Sequence, residues 1–352
     1  MKYYIITFGC QMNKSDSERI AAVLEKIGYK KARNIEKADL IVVNMCSVRQ
    51  SAVDRVYGKI KDFNKLKVKN EKLKVILTGC ILGKDRKKFA QYFDYILNIK
   101  EILNLPYLLK LKTKPPENCS PWSYLKIEPK YSSFPMAYVP ISNGCNNFCT
   151  YCVVPYTRGH EQYRDKKEII CEISELIKKG FKEIILLGQN VNSYPNFVGL
   201  LQNITDLTGD FKIKFITNHP KNFSDELIEE VARNDKIVKY IHLPVQSGDN
   251  EILKKMNRNY TREQYLLLVK KIKNKIPNVE LTTDVIVGFP GETKKQFQAT
   301  FDIFKRIKFA NAYIAKYSPR ENTAAYKLKD NILLEEKKRR EKILRDYVKS
   351  QK

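Results

Sequence analysis

The sequence predicts an α/β protein, with an N-terminal open parallel α/β sheet followed by an open (β/α)6 partial TIM barrel. Three observations predict it. Short continuous apolar runs such as Asp39–Asn44 read as strands buried on both faces. Amphipathic helical stretches alternate with such runs along most of the chain. Cysteines follow three early strands in turn, at Cys10, Cys46 and Cys80, and ligand sites in open α/β sheets lie beyond the carboxyl ends of the strands.

Residues 1–103 are expected to form the first domain. Tyr3–Phe8 is a strand. A helix is expected from about Ser15 to Ile27, with Ser15 as N-cap, Glu18 in the capping-box position and Gly28 as the stop. The apolar strand Asp39–Asn44 follows, then a helix from about Val48 to Leu66, a strand at Leu73–Thr78 and a further helix. Residues 104–134 read as a linker, because Pro115, Pro116, Pro121 and Pro129 remove backbone donors and restrict their neighbours. Residues 135–325 resume the alternation. Strands are expected at Ala137–Ser142, Glu183–Leu187, Lys212–Thr217, Tyr240–Gln246, Glu280–Val287 and Ala312–Tyr317. The helices between them include Asp165–Lys179, Ser224–Asn234, Thr261–Ile276 and Thr293–Ile307. Six repeats are too few for a closed eight-stranded barrel, and an open one places its site at the strand C-termini. Residues 326–352 carry a basic helix from about Leu333 to Lys349.

Composition narrows the function. A chain of 352 residues can bury two cores. It has no apolar run of the length a membrane span needs, and Met1–Cys10 reads as an early strand rather than a signal peptide. A cytoplasmic protein is therefore expected, in which thiols stay reduced. Eight cysteines in that setting point to metal or catalysis before disulfides. The formal charge of +26 favours a polyanionic partner, with RNA or DNA first.

The most informative motif is Cys145-Asn-Asn-Phe-Cys149-Thr-Tyr-Cys152. A thiolate trio this tight can hold one iron–sulfur cluster with a fourth ligand position open to a small molecule, whereas electron-carrying clusters normally take four cysteines. Structural zinc takes four ligands in a closed site, and neither Cys119 nor Cys171 stands at a usual zinc spacing. Tyr151 is placed to lie against a bound purine. Cysteines at three strand ends, two of them preceded by Gly9 and Gly79, suit backbone closing around a bulky inorganic ligand. Cys171 is expected in a helix core, and Cys119 lies in the linker without an assigned role.

At this point the chain resembles the radical S-adenosylmethionine superfamily, and within it the MiaB-type tRNA methylthiotransferases. The resemblance rests on Thr7–Asn13 with Asp16-Ser-Glu18, Asn44–Arg49, Asn143–Gly159, Leu186–Tyr194, His242–Gly248, Met256-Asn-Arg258, Asp284–Glu292 and Tyr317–Arg320. It implies two [4Fe–4S] clusters, one on Cys145, Cys149 and Cys152 that binds S-adenosylmethionine, and an auxiliary one on Cys10, Cys46 and Cys80. It also implies a reaction in which a 5′-deoxyadenosyl radical removes hydrogen from C2 of an N6-isopentenylated adenosine at position 37 of the tRNA anticodon stem-loop. Sulfur then comes from the auxiliary cluster and methyl from a second S-adenosylmethionine. No side-chain base can take an unactivated C2 hydrogen, so no acid–base residue is assigned, and His160, His219 and His242 are read as positional. Tyr151, Gln189, Asn190, Gln246 and Ser247 are the candidate contacts to S-adenosylmethionine or the target base. The electron donor is expected to be of the flavodoxin or ferredoxin kind, no membrane is involved, and a monomer is expected.

The chain departs from the family pattern at His160, where Arg is usual, and at Ile81-Leu82-Gly83 after Cys80. Such enzymes usually end in a small β-barrel RNA-binding module, TRAM, which is expected to be absent here, either because the sequence is truncated or because basic surface replaces it. Related subgroups act on threonylcarbamoyl-adenosine in tRNA or on a ribosomal-protein aspartate. A rival of another class is a non-enzymatic RNA-binding protein with structural metal.

Overall fold

The computed structural model describes residues 1–111 and 123–351. The proline-rich stretch around Cys119 lies outside the described residues. The first domain contains β1 (Lys2–Phe8), α1 (Gln11–Lys26), β2 (Lys30–Lys31), β3 (Leu40–Cys46), α2 (Gln50–Lys69), β4 (Lys74–Cys80), α3 (Gly83–Phe89) and β5 (Tyr95–Ile96), with α4 (Leu105–Leu108) after it. The strands form a parallel sheet in the order β2-β1-β3-β4-β5. Alternation along β3 explains its continuous apolar run. Leu40 and Val42 pack with Ile20 and Leu24 of α1 on one face. Ile41, Val43 and Met45 pack with Val56 and Phe63 of α2 on the other.

Two expectations for this domain are corrected. The first helix begins at Gln11, not near Ser15, and its N-cap is Cys10. Ser15 and Glu18 are buried inside it: Ser15 Oγ accepts from Arg19 at 2.7 Å, and Glu18 accepts from Ser132. The helix starts early because Asn13 accepts from the Cys10 amide, a capping pattern outside the usual Ser/Thr signature. Gly28, at φ +91°, does close the helix. The 104–134 stretch is not a free linker where it is described. Leu105, Tyr124 and Leu125 are buried in the first domain's core.

The second domain contains β6 (Met136–Pro140), β7 (Ser142–Asn143), α5 (Val154–Thr157), β8 (Gln162–Tyr163), α6 (Lys166–Lys178), β9 (Glu183–Leu187), α7 (Phe197–Thr205), β10 (Lys212–Phe215), α8 (Asp225–Arg233), β11 (Tyr240–His242), α9 (Asn250–Lys255), α10 (Arg262–Lys275), β12 (Glu280–Val287), α11 (Lys294–Ile307), β13 (Asn311–Lys316) and α12 (Leu334–Ser350). The parallel arcs β6-β9-β10 and β11-β12-β13 are joined by a parallel bridge between Ile213 and Ile237, giving the expected open partial barrel. Leu344 and Val348 of α12 belong to the barrel core, so the basic helix is part of this domain. Arg340 on its buried face pairs with Glu292 at 2.6 Å. Cys171 is exposed on α6, not in the core, because the apolar face of that helix is carried by Ile169, Ile173 and Leu176.

Helix α1 joins the domains. Its Met12 packs against Tyr138 of β6 and Ile185 and Leu187 of β9, with Cys10 and Ile216 at the edge of the cluster. The C-terminal edge of the first sheet therefore lies against the barrel.

Candidate active site with two cysteine trios

The first trio is built by strand register. Cys46 and Cys80 are the last residues of β3 and β4 and stand directly paired. Cys10 caps α1, the helix that follows β1. Asn44 fixes that helix start: its side chain accepts from Asn13 Nδ2 at 3.0 Å and donates to the Asn13 carbonyl and Ser17 Oγ. Gly79, at φ +113°, lets β4 pass close by, since a Cβ there would stand 2.2 Å from the Met45 carbonyl oxygen. Burial pushes the Cys10 thiol up. Cys46 donates to Cys80, which raises Cys46. That bond, reinforced by the Arg158 guanidinium, brings Cys80 down to about 7 against the effect of burial. The thiolate is the form that binds metal, and the Arg158 guanidinium sets a positive charge beside the Cys80 sulfur.

The second trio is built by a clamped loop. The antiparallel pair β7–β8 closes the ends of the segment that carries Cys145, Cys149 and Cys152. Gly144, at φ +87°, has no room for a Cβ, which would meet the His160 carbonyl oxygen at 2.1 Å. The Gly144 amide donates to Gln189 Oε1 at 2.5 Å, and the Cys145 amide donates to the Gly159 carbonyl at 3.2 Å. From the other side of the barrel, Asn257 Nδ2 donates to the carbonyls of Asn147 and Phe148, each at 3.1 Å. Thr150 is tied to Met256 and Lys255, and Arg258 donates to Cys149 Sγ at 3.4 Å. Burial pushes Cys145 up to about 11 and, with the neighbouring Cys149, Cys152 up to about 12. Metal binding here must displace protons.

Each trio has one sulfur facing a buried arginine, and glycines without room for a side chain line both. Cationic donors aimed at sulfur and backbone drawn in close suit a bulky anionic iron–sulfur group. The remaining candidates are distributed unevenly. Tyr151 packs among Ile252, Met256, Phe289 and Tyr317. Asn190 is buried with Oδ1 lacking a partner among the described residues, so it offers an acceptor. Gln246 is buried at φ +66° where its chain bridges β12. Ser247 faces away, toward Thr300 and the Asp249 amide. His160 contacts Asn146 and the Phe148 ring. His242 bridges Thr282 and Asp284. His219 is held neutral, its pKa lowered to about 3 by burial and then Arg258.

Arg158, Asp16, Asn13, Asn44, Asn257 and Arg258 were not among the sequence candidates, although all lie inside the stretches that carry the family resemblance. Their signal was polarity beside a cysteine motif. Apart from the Cys10 amide that Asn13 caps, their partners sit too far away along the chain to be read from spacing.

Comparison with known proteins decides the family. Residues 139–304 match the Radical SAM superfamily, and residues 2–98 match the uncharacterized protein family UPF0004. The chain is 44% identical over 356 residues to the tRNA-2-methylthio-N(6)-dimethylallyladenosine synthase of Clostridium botulinum (strain Hall), covering 94% of this chain and 78% of that protein. The chain belongs to the tRNA-2-methylthio-N(6)-dimethylallyladenosine synthase family. The same-named protein of Carboxydothermus hydrogenoformans is 43% identical, with 96% of this chain and 81% of that protein covered. Among solved structures, the radical S-adenosylmethionine methyltransferase TsrM of Kitasatospora setae, with cobalamin and a [4Fe–4S] cluster bound, shares the fold at TM-score 0.65 and 14% identity, covering 92% of this chain and 77% of that one. Members of the synthase family are radical S-adenosylmethionine methylthiotransferases, and this chain is an enzyme of that class whose cofactors are [4Fe–4S] clusters and S-adenosylmethionine.

Proposed function

We propose that the chain methylthiolates C2 of N6-isopentenyladenosine at position 37 of tRNA. Cys145, Cys149 and Cys152 hold the cluster that binds S-adenosylmethionine, and Cys10, Cys46 and Cys80 hold the auxiliary one. The observation that carries this reading is the adjacency of the trios. Six residues beyond Cys152, the same segment presents Arg158, which donates to Cys80 Sγ at 2.9 Å. When bound, the two clusters and S-adenosylmethionine supply hydrogen-atom abstraction, sulfur and methyl.

The chain's own residues hold, orient and shield. Gln189 fixes the Gly144 amide, and Asn257 fixes the two carbonyls ahead of Cys149. Asn190 and Gln246 offer polar atoms to S-adenosylmethionine or the target base, and Tyr151 lies behind the Cys149–Cys152 turn. Ser247 serves by holding the turn into α9. No helix among the described residues is long and apolar enough to cross a membrane, and the reading is of a cytoplasmic monomer reduced by a flavodoxin- or ferredoxin-type donor. Arg55, Lys61, Lys65, Lys84, Lys87 and Lys88 are exposed on α2 and α3. These helices touch through Tyr57 and Phe89 and start beside Cys46 and Cys80. They offer a cationic surface for the anticodon stem-loop backbone.

Anaerobic reconstitution tests the reading. The expected product is a brown protein with about eight irons per chain that releases 5′-deoxyadenosine when reduced with S-adenosylmethionine. Mass spectrometry of nucleosides from cells with and without the gene should show the 2-methylthio group on isopentenyladenosine alone. A colourless, zinc-loaded protein overturns the reading. Binding to the stem-loop should weaken at least about tenfold between 50 and 200 mM salt, as expected for several phosphate contacts.

A further inference from the structure

Arg158 is 2% exposed, and each of its three nitrogens is engaged. Nε donates to Cys80 Sγ at 2.9 Å, Nη1 to Asn143 Oδ1 at 3.0 Å and the Tyr124 hydroxyl at 3.3 Å, and Nη2 to Asp16 Oδ2 at 2.6 Å. Asn143 belongs to the barrel, whereas Cys80 and Asp16 belong to the first domain. The turn around Arg158 is itself docked across the interface. Asn98 Nδ2 donates to the Thr157 carbonyl at 3.3 Å, and Gly159, at φ +81°, passes so close that a Cβ would stand 2.9 Å from Lys100 Nζ. Burying a guanidinium is unfavourable unless charge and geometry compensate for its lost hydration. An ion pair with Asp16 alone would not require the third contact, to sulfur.

We propose that Arg158 is a positioning residue for the auxiliary cysteine site, reaching from the barrel to hold the Cys80 sulfur so that the site is complete only when the two domains are docked. This rests on reading Cys10, Cys46 and Cys80 as cluster ligands. The guanidinium supplies positive charge to a trio that becomes anionic on ligation. A hydrogen bond to a ligating sulfur also stabilises the reduced cluster and raises its potential. Loading of the auxiliary site and closure of the domain interface then favour each other, because both need the same side chain in place.

The test uses the reconstituted full chain and the variants Arg158→Gln, Arg158→Lys, Asp16→Asn and Cys80→Ala. Iron per chain and the melting temperature are measured for each. The midpoint potential of the auxiliary cluster is measured in a background with Cys145, Cys149 and Cys152 replaced by Ala. Arg158→Gln is expected to fall from about eight irons to about four. Arg158→Lys, which keeps the charge and not the fork, is expected to retain iron with the potential shifted more negative. Asp16→Asn, which weakens the docking and leaves the contact to sulfur, is expected to lower the melting temperature and to lose much less iron than Arg158→Gln, which separates holding the sulfur from gluing the domains. Full iron in Arg158→Gln with an unchanged potential in Arg158→Lys overturns the proposal. So does iron loss in Asp16→Asn as large as in Arg158→Gln. If Cys80→Ala keeps all its iron, the ligand assignment itself has failed, and that result is distinct from a failure of Arg158.

Discussion

The two cysteine trios are built by opposite means. The N-terminal trio draws its members from three points about 35 residues apart and depends on regular structure, since parallel register aligns Cys46 with Cys80 and a helix cap brings in Cys10. The barrel trio lies within eight consecutive residues of a loop closed only at its base by the short β7–β8 pair, so side chains from the segment after α9 clamp it. A site made from strand ends is as rigid as its sheet. A site made from a loop is as rigid as its clamps.

The largest effect that sharpens this contrast is chemical. Replacing Cys145, Cys149 and Cys152 with Ala should abolish release of 5′-deoxyadenosine. Replacing Cys10, Cys46 and Cys80 should leave that release and remove only the methylthio product; the same phenotype from both would break the division of labour. Next comes the sheet edge. Gly79→Ala drives a Cβ into the Met45 carbonyl at positive φ and should cost about 3 kcal/mol or more. Gly28→Ala, with no atom within 4 Å, should cost about 1 kcal/mol. Denaturant midpoints of the two variants give the comparison directly.

Acid should act on the barrel through the buried His219. The folded pKa of His219 lies below its unfolded value. Its contribution is therefore complete above pH 6.5 and is lost as pH falls toward about 3, by at most about 1.4 kcal/mol per pH unit. His219→Gln should flatten that part of a stability profile taken across the acid range; an unchanged slope would show that another group titrates. The smallest effect is expected from Asn257→Ala, which removes two donors from the barrel loop at about 1 kcal/mol. Hydrogen exchange should report faster opening at the Cys149–Cys152 amides and none at β3 or β4.

The barrel strands Glu183–Leu187 and Glu280–Val287 were legible to the residue, the first as a sharply bounded apolar run and the second as a β-branched stretch stopped by Gly288. The start of α1 was not. A cysteine caps it with help from Asn13 and Asn44, and Asn44 lies 31 residues from Asn13. The six ligand candidates could be read because thiols are rare and their spacing is chemical. Arg158 and Arg258 could not, because in a chain with 65 Lys and Arg no sequence signal separates a buried guanidinium from a solvated one.

By itself the sequence set most of the elements, their parallel α/β order, and which thiols are candidates to hold iron. Hydrophobic period and thiol chemistry act locally and leave their mark residue by residue. Only the tertiary structure decided that Arg158 meets Cys80 across 78 positions and Arg258 meets Cys149 across 109. Buried charge is stable only where packing from distant segments supplies its partners, and those partners leave no periodic trace in the chain.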